Sequence, residues 1–212
     1  MKIDLAGQTF TLHPFKAMYW EEESILLIAD LHLGKSRHFR KEGFPVPQAV
    51  GDTNYDKLIS LFLDFQPARV NFLGDLFHSD YNKEWIEFED LIERFPGIEF
   101  DLVKGNHDIL DASLYAQSRM RIHYETLLVK PFVLSHEPLD EIEEDWFNLS
   151  GHIHPCAWLK GRGRQKLRLP CFYFNEYQGI LPAFGAFTGM AAIAIKKGDR
   201  VYGVTDESVI AL

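Results

Sequence analysis

Residue types that bind metal ions recur here in five short phrases: Asp30-Leu31-His32, Gly74-Asp75, Gly105-Asn106-His107-Asp108, His136, and Gly151-His152-Ile153-His154. Singly, most are weak signals. An Asp and a His two apart commonly act as caps or surface groups, and Gly-Asp is a frequent turn dipeptide. The run from Gly105 to Asp108 is more telling, because small and polar residues directly after an apolar stretch have no packing role. In Gly151 to His154 the alternation of an extended segment puts both imidazoles on one side, as a metal cluster needs. Capping cannot easily explain all five phrases together. They point to metal-assisted chemistry.

The elements that must position these residues are legible around them. Each phrase ends a short apolar run: Ile25 to Ala29, Val70 to Leu73, Phe100 to Val103, Phe132 to Ser135, and Phe147 to Ser150. Such runs are continuous rather than alternating, as expected for strands buried on both faces. The ligands are therefore expected along the C-terminal edge of an α/β sheet, where open sheets place their sites. Tyr55, Leu58, Leu61, Phe62 and Phe65 recur at helical spacing before Pro67, and Trp85, Phe88, Leu91, Ile92 and Phe95 do so before Pro96-Gly97. Strand, helix and strand in succession predict right-handed βαβ units. Downstream, Leu167 to Phe174, Ile180 to Phe187, Ala191 to Ile195 and Val201 to Val204 read as close-set strands of an antiparallel second sheet. The N-terminal stretch, with Phe10, Leu12 and Phe15 to Tyr19, reads as one or two strands.

Composition bounds the rest. The 212 residues suit a single domain spanning 1–212, and 46% hydrophobic residues with 17 Phe can fill a substantial core. The longest apolar runs are far short of the ~18 residues of a membrane span, and no basic region followed by an apolar stretch marks a signal peptide. A cytoplasmic protein without a membrane partner is expected, with Cys156 and Cys171 as free thiols. A net charge of −9 disfavours general adhesion to nucleic acid but leaves room for local basic patches. One lies from Lys160 through Arg162, Arg164 and Lys166 to Arg168, and another comprises Lys35, Arg37, Arg40 and Lys41. Both directly follow metal-type ligands, which suits phosphate attraction. Phe39, Phe172 and Tyr173 are candidates for stacking on bases, although such aromatics are more often core.

The ordered set of phrases resembles the calcineurin-like metallophosphoesterase superfamily. That resemblance implies an α/β fold, a four-layer sandwich of two facing mixed β-sheets flanked by helices. It also implies that Asp30, His32 and His154 hold one divalent ion, that Asn106, His136 and His152 hold the other, and that Asp75 bridges both. Nitrogen and oxygen ligands without thiolate suit Mn²⁺, Fe or Zn²⁺ better than Ca²⁺, and the family leans towards Mn²⁺. Two such ions ~3.5–4 Å apart would generate a bridging hydroxide as nucleophile and clamp the phosphoryl oxygens. His107, not itself a ligand in the family, would stabilise the transition state or protonate the leaving oxygen, with Asp108 orienting it. His78 stands where the superfamily commonly has an acidic residue, and a substrate contact or a plain surface histidine are equally open for it. His13, His38 and His123 have no motif around them.

Asp30-Leu-His-Leu-Gly-Lys35, Gly74-Asp-Leu-Phe-His-Ser79, Gly161 to Phe172 and Leu181 to Gly189 are similar to a bacterial branch of ligase-associated DNA damage response endonucleases. This implies a nucleic-acid phosphodiester, DNA first, as substrate, with a DNA ligase, a helicase and an exonuclease as pathway partners, and the candidate contacts from the basic runs and position 78 are Lys35, Arg37, His78, Arg162, Arg164 and Arg168. A small-molecule nucleotide, cyclic phosphodiester or monoester hydrolase is the alternative. A non-catalytic scaffold is disfavoured by the intact ligand set. The metallo-β-lactamase pattern fails, since Gly151-His-Ile-His-Pro155 lacks the Asp-His that must follow.

Overall fold

The computed structural model describes residues 1–34, 49–77, 83–161, 166–186 and 188–212. Two mixed sheets pack face to face. The first has seven strands in spatial order of sequence: β1 (Lys2–Leu5), β2 (Gln8–Leu12), β3 (Met18–Trp20), β4 (Ile25–Ile28), β5 (Arg69–Leu73), β6 (Glu99–Val103) and β7 (Arg121–His123). Pairing is antiparallel as far as β4 and parallel from β4 to β7. The parallel steps need crossovers, supplied by α1 (Ala49–Phe65), α2 (Lys83–Glu93) and α3 (Ala112–Gln117). The last starts at Asp111, whose carboxylate accepts the Ser113 N–H at 2.8 Å as an N-cap.

The second sheet has nine strands: β8 (Thr126–Val129), β9 (Phe132–Ser135), β10 (Phe147–Ser150), β11 (Pro155–Lys160), β12 (Lys166–Phe174), β13 (Gln178–Ile180), β14 (Ala191–Ala192), β15 (Arg200–Val204) and β16 (Val209–Ala211). Within it β9, β10 and β13 are mutually parallel, while β11 and β12 form a long antiparallel hairpin. The second sheet is thus mixed, not simply antiparallel. The strands that deliver His136 and His152 belong to it and not to the sheet of Asp30, Asp75 and Asn106, so the expected single ligand edge is two facing edges. The N-terminal stretch makes three strands rather than one or two. The strand expected from Ile180 ends there, because 181–185 bonds across to the first sheet, and that expected from Ala191 is a two-residue strand beside β11.

The buried runs do serve two cores. Along β4, Ile25 and Leu27 face the inter-sheet core while Leu26 and Ile28 face the helices. The inter-sheet core is locked aromatically, with Phe132 of the second sheet edge-on to Phe10 at 5.2 Å and to Trp20 at 4.9 Å. The helix-covered core takes Leu58, Leu61 and Phe62 of α1, Phe88, Leu91 and Ile92 of α2, and Tyr115 of α3. Among the described residues, the helices all lie on the first sheet's outer face. No described helix is long and apolar enough to cross a membrane.

Candidate metal centre

The C-terminal ends of β4, β5, β6, β9 and β10 converge, and two groups of ligand atoms form there. Asp30, His32 and His154 make one group; Asp75, His136 and His152 make the other, the atoms of each lying within 4.8 Å of one another. Each group draws on both sheets. Asp75 lies between the groups, with Oδ2 3.6 Å from His32 Nε2 and Oδ1 3.5 Å from His136 Nε2. Asn106 joins the second group, its Oδ1 2.9 Å from His136 Nε2.

The protonation pattern fits cation binding. His136 Nδ1 donates to the Leu73 carbonyl at 3.0 Å and His154 Nδ1 to the Gly189 carbonyl at 3.2 Å. Carbonyls only accept, so each Nε2 keeps a lone pair for the centre. His152 Nδ1 approaches His136 Nε2 to 3.0 Å, and Asp30 Oδ1 lies 3.3 Å from His154 Nε2. Asp30 Oδ1 and His154 Nε2 are buried with no hydrogen-bond partner. Unmet buried polar atoms are rare and costly, and a cation between them resolves both.

The backbone is shaped to bring these atoms together. Asp30, His32, Asp75, His152 and His154 all have left-handed φ, between 48° and 65°. Such angles in non-glycine residues are uncommon and persist where the surroundings over-determine them. Here backbone bonds do so: Asp30 N–H donates to Gly74 O, His32 N–H to Asp75 O, and Gly151 N–H to His136 O. Close approach explains two glycines. A Cβ at Gly74, itself at φ +77°, would stand 2.1 Å from His136 Nδ1, and one at Gly105 would stand 2.4 Å from Asp75 Oδ1.

His107 is exposed over the centre, its ring 5.6 Å from that of His32, while its backbone N–H donates to Asp75 Oδ1 at 2.9 Å. Asp108 is held by backbone donors. Its Oδ1 accepts the N–H groups of Leu76 and Phe77 and its Oδ2 that of Gly105, at 2.8–3.1 Å. It therefore ties the His107 loop to the loop after β5 through the backbone. Burial pushes its carboxyl up to about 6 against the pull of those N–H groups.

Lys35, Arg37, His78, Arg162 and Arg164, with Phe39, Arg40 and Lys41, lie outside the described residues. Arg168 is described, and its guanidinium bonds Cys156 Sγ at 2.9 Å and the Met190 carbonyl. It thereby braces the strand of residues next to Gly189, the acceptor for His154. Phe172 and Tyr173 are buried in the cores, so they do not offer faces to a base. Three features escaped the sequence reading. Glu137 Oε1 lies 3.8 Å from His152 Nε2, a position signalled only by its adjacency to His136. Residues 181–185 strap the two sheets together, Leu181 N–H donating to Ser150 O, and Phe184 and Gly185 N–H to Ala29 and Asp30 O. His123 pairs with buried Asp101 at 2.6 Å, which no local motif announces.

A sequence profile of the family described as calcineurin-like phosphoesterase matches residues 23–176, nearly three quarters of the chain and every ligand phrase. The chain belongs to that family. It is a metal-dependent phosphoesterase, a hydrolase of ester bonds. The crystal structure of Pseudomonas putida nuclease MPE superimposes on this phosphoesterase with a TM-score of 0.80 and 30% identity, over 100% of this chain and 99% of the nuclease. YfcE, a phosphoesterase from E. coli, aligns at 14% identity and a TM-score of 0.46 over 88% of this chain and 96% of its own. None of the curated protein sequences is significantly similar to the chain.

Proposed function

We propose that this phosphoesterase holds two divalent cations, Mn²⁺ ahead of Fe or Zn²⁺, and hydrolyses DNA phosphodiesters. The observation that carries the dinuclear reading is Asp75, a single buried carboxylate with one oxygen towards each ligand group. Two cations there would lower the pKa of a shared water and screen the charge that builds on the phosphoryl oxygens. The chain's own residues do the rest. Asp30 and Asp75 present fixed carboxylates, each with one oxygen held by a backbone N–H, from His152 and His107 respectively. His107, exposed beside the centre, is placed to touch the substrate and to give a proton to the leaving oxygen. Asp108 keeps the loop beneath it in place.

The DNA reading is supported by the likeness to the Pseudomonas nuclease over nearly its whole length and by the run of cations Lys160, Arg162, Arg164 and Lys166 just past His154. A cytoplasmic role in DNA repair, alongside a ligase, a helicase and an exonuclease, follows from the branch resemblance. The test is a Mn²⁺-loaded panel of single-stranded DNA, duplex DNA, RNA, cyclic dinucleotides and a monoester. Metal-dependent DNA cleavage that weakens steeply with salt is expected. Turnover confined to monoesters or cyclic dinucleotides would replace the DNA reading with a small-molecule one.

A further inference from the structure

The β11–β12 hairpin leaves the sandwich at its metal edge. Tyr173 of β12 pairs with Ile180, and Ile180 with Ser150, so Tyr173 is level with the end of β10, from which His152 and His154 immediately follow. Arg168 is five residues further out along β12, about 16 Å at the rise of an extended strand. Its cross-strand partner is Trp158. Strand alternation fixes which way this pair faces. Phe172 and Phe174 point into the inter-sheet core, so Pro170 and Arg168, with their partners Cys156 and Trp158, continue that same face above the metal loops.

Burial changes sharply along this face. Cys156 is fully buried, whereas Trp158 is 52% exposed. Of the four tryptophans, Trp20 and Trp85 are buried and Trp146 is half-buried, so Trp158 alone presents its ring to solvent. Neither core cluster nor the small cluster of Ala157 and Cys171 includes it. Exposed Lys166 stands two residues from Arg168 on the same strand. An exposed aromatic face near the exposed cation Lys166, on a hairpin rising from the metal edge, is the combination that single-stranded nucleic-acid sites use: charge follows the backbone and the ring takes a base.

We propose that the β11–β12 hairpin is a nucleic-acid arm and that Trp158 is the stacking platform for an unpaired base of the strand whose phosphodiester lies at the metal centre. This rests on the nucleic-acid reading above and narrows it to substrates with unpaired bases near the cut, since a base held in a duplex has no free face to offer.

The test is rapid-mixing fluorescence with the Mn²⁺-loaded protein and a short mixed-sequence single-stranded DNA, alongside the matching duplex and a cleavage assay on the same strand. Stacking should quench the tryptophan emission of the wild type on binding the single strand, and less so on binding the duplex. Trp158→Phe should keep most of the affinity and lose the quench. Trp158→Ala should weaken single-strand binding about tenfold, within the range of one base stack, with thermal midpoint and metal content as in the wild type. If the wild type cleaves the strand yet shows no quench, and Trp158→Ala binds it equally well, the arm is overturned while the nucleic-acid reading stands. If the wild type neither binds nor cleaves the strand, both are overturned.

Discussion

Among the described residues, the candidate ligand groups draw their carboxylates from the first sheet and most of their imidazoles from the second. Asp30, Asp75 and Asn106 follow β4, β5 and β6, joined by His32; His136, His152 and His154 follow β9 and β10. The supports of the two sheets differ in the same sense. First-sheet strands are buried between the inter-sheet core and three helices, whereas the outer face of the second sheet carries, among the described residues, only the small cluster around Ala157, Cys171, Tyr173, Ile180 and Val201. Two buried carboxylates repel one another and lose hydration, so they need the stiffer backing and the extra backbone N–H bonds that they receive. Neutral imidazoles carry no such cost and can be mounted on the thinner sheet, which also extends outward as the substrate-facing hairpin. The difference teaches that charge, rather than ligand count, decides where the fold spends its rigidity.

The contrast can be broken most sharply at Asp75. Asp75→Ala should strip metal from both ligand groups and lower phosphodiester hydrolysis by about 10⁴-fold or more, a loss of several kcal/mol of transition-state stabilisation. Elemental analysis showing undiminished metal would contradict the bridge. His107→Ala tests the other first-sheet contribution: both metals should stay while kcat on an activated diester drops ~10²–10⁴-fold, and full activity would remove the residue from the reaction. At Gly74, where the sheets touch through His136, Gly74→Ala should destabilise the protein by ~2–3 kcal/mol, from overpacking plus left-handed strain, and weaken metal retention. A melting temperature equal to the wild type's would show that His136 moves aside freely. On the second sheet, Arg168→Ala should lower metal affinity about tenfold by loosening the Gly189–Met190 segment behind His154. If only DNA binding changes, the side chain is a substrate contact after all.

The smallest effect concerns Lys16, which reaches the Gly185 carbonyl at 3.4 Å on the strap joining the sheets. Burial lowers its pKa to about 8, with the Lys57 charge adding to the effect. Below that pH both folded and unfolded chains are protonated and the burial penalty is complete. Between about 8 and its ordinary value only the unfolded chain retains the proton, so stability should rise with pH there. Urea midpoints at pH 7.5 and 9.5 should show the rise in the wild type and a reduced rise in Lys16→Met.

Where the candidate ligands cluster was readable because packing and chemistry leave separate marks: a run such as Ile25 to Ala29 packs on both faces, and Asp30 and His32, polar directly after it, do not belong to that packing. The two helices over 49–65 and 83–93 were readable from spacing for the same reason. The division of the five strand ends between two sheets was not, because Phe100 to Val103 and Phe132 to Ser135 have the same character and differ only in long-range pairing. Left-handed φ at Asp30, His32, Asp75, His152 and His154 was invisible too, since the tertiary bonds that enforce it come from residues far along the chain. Arg168 looked like a free cation because its partners, Cys156 and Met190, are set by strand register. Phe172 looked equally able to stack on a base or fill the core, and its register placed it in the core.

The sharing of each ligand group between the sheets has a consequence for the order in which the protein is made. A nascent chain that has emerged only as far as β7 carries Asp30, His32, Asp75, Asn106 and His107, but His154 follows Asp30 by more than 120 residues, and neither group is complete without the second sheet. N-terminal portions of a chain tend to fold first during synthesis, so hydrolytic capacity is withheld until the two halves dock. Metal uptake is then a report on that docking, and the phosphoesterase stays inert on the ribosome until the chain behind its last histidine has cleared the exit.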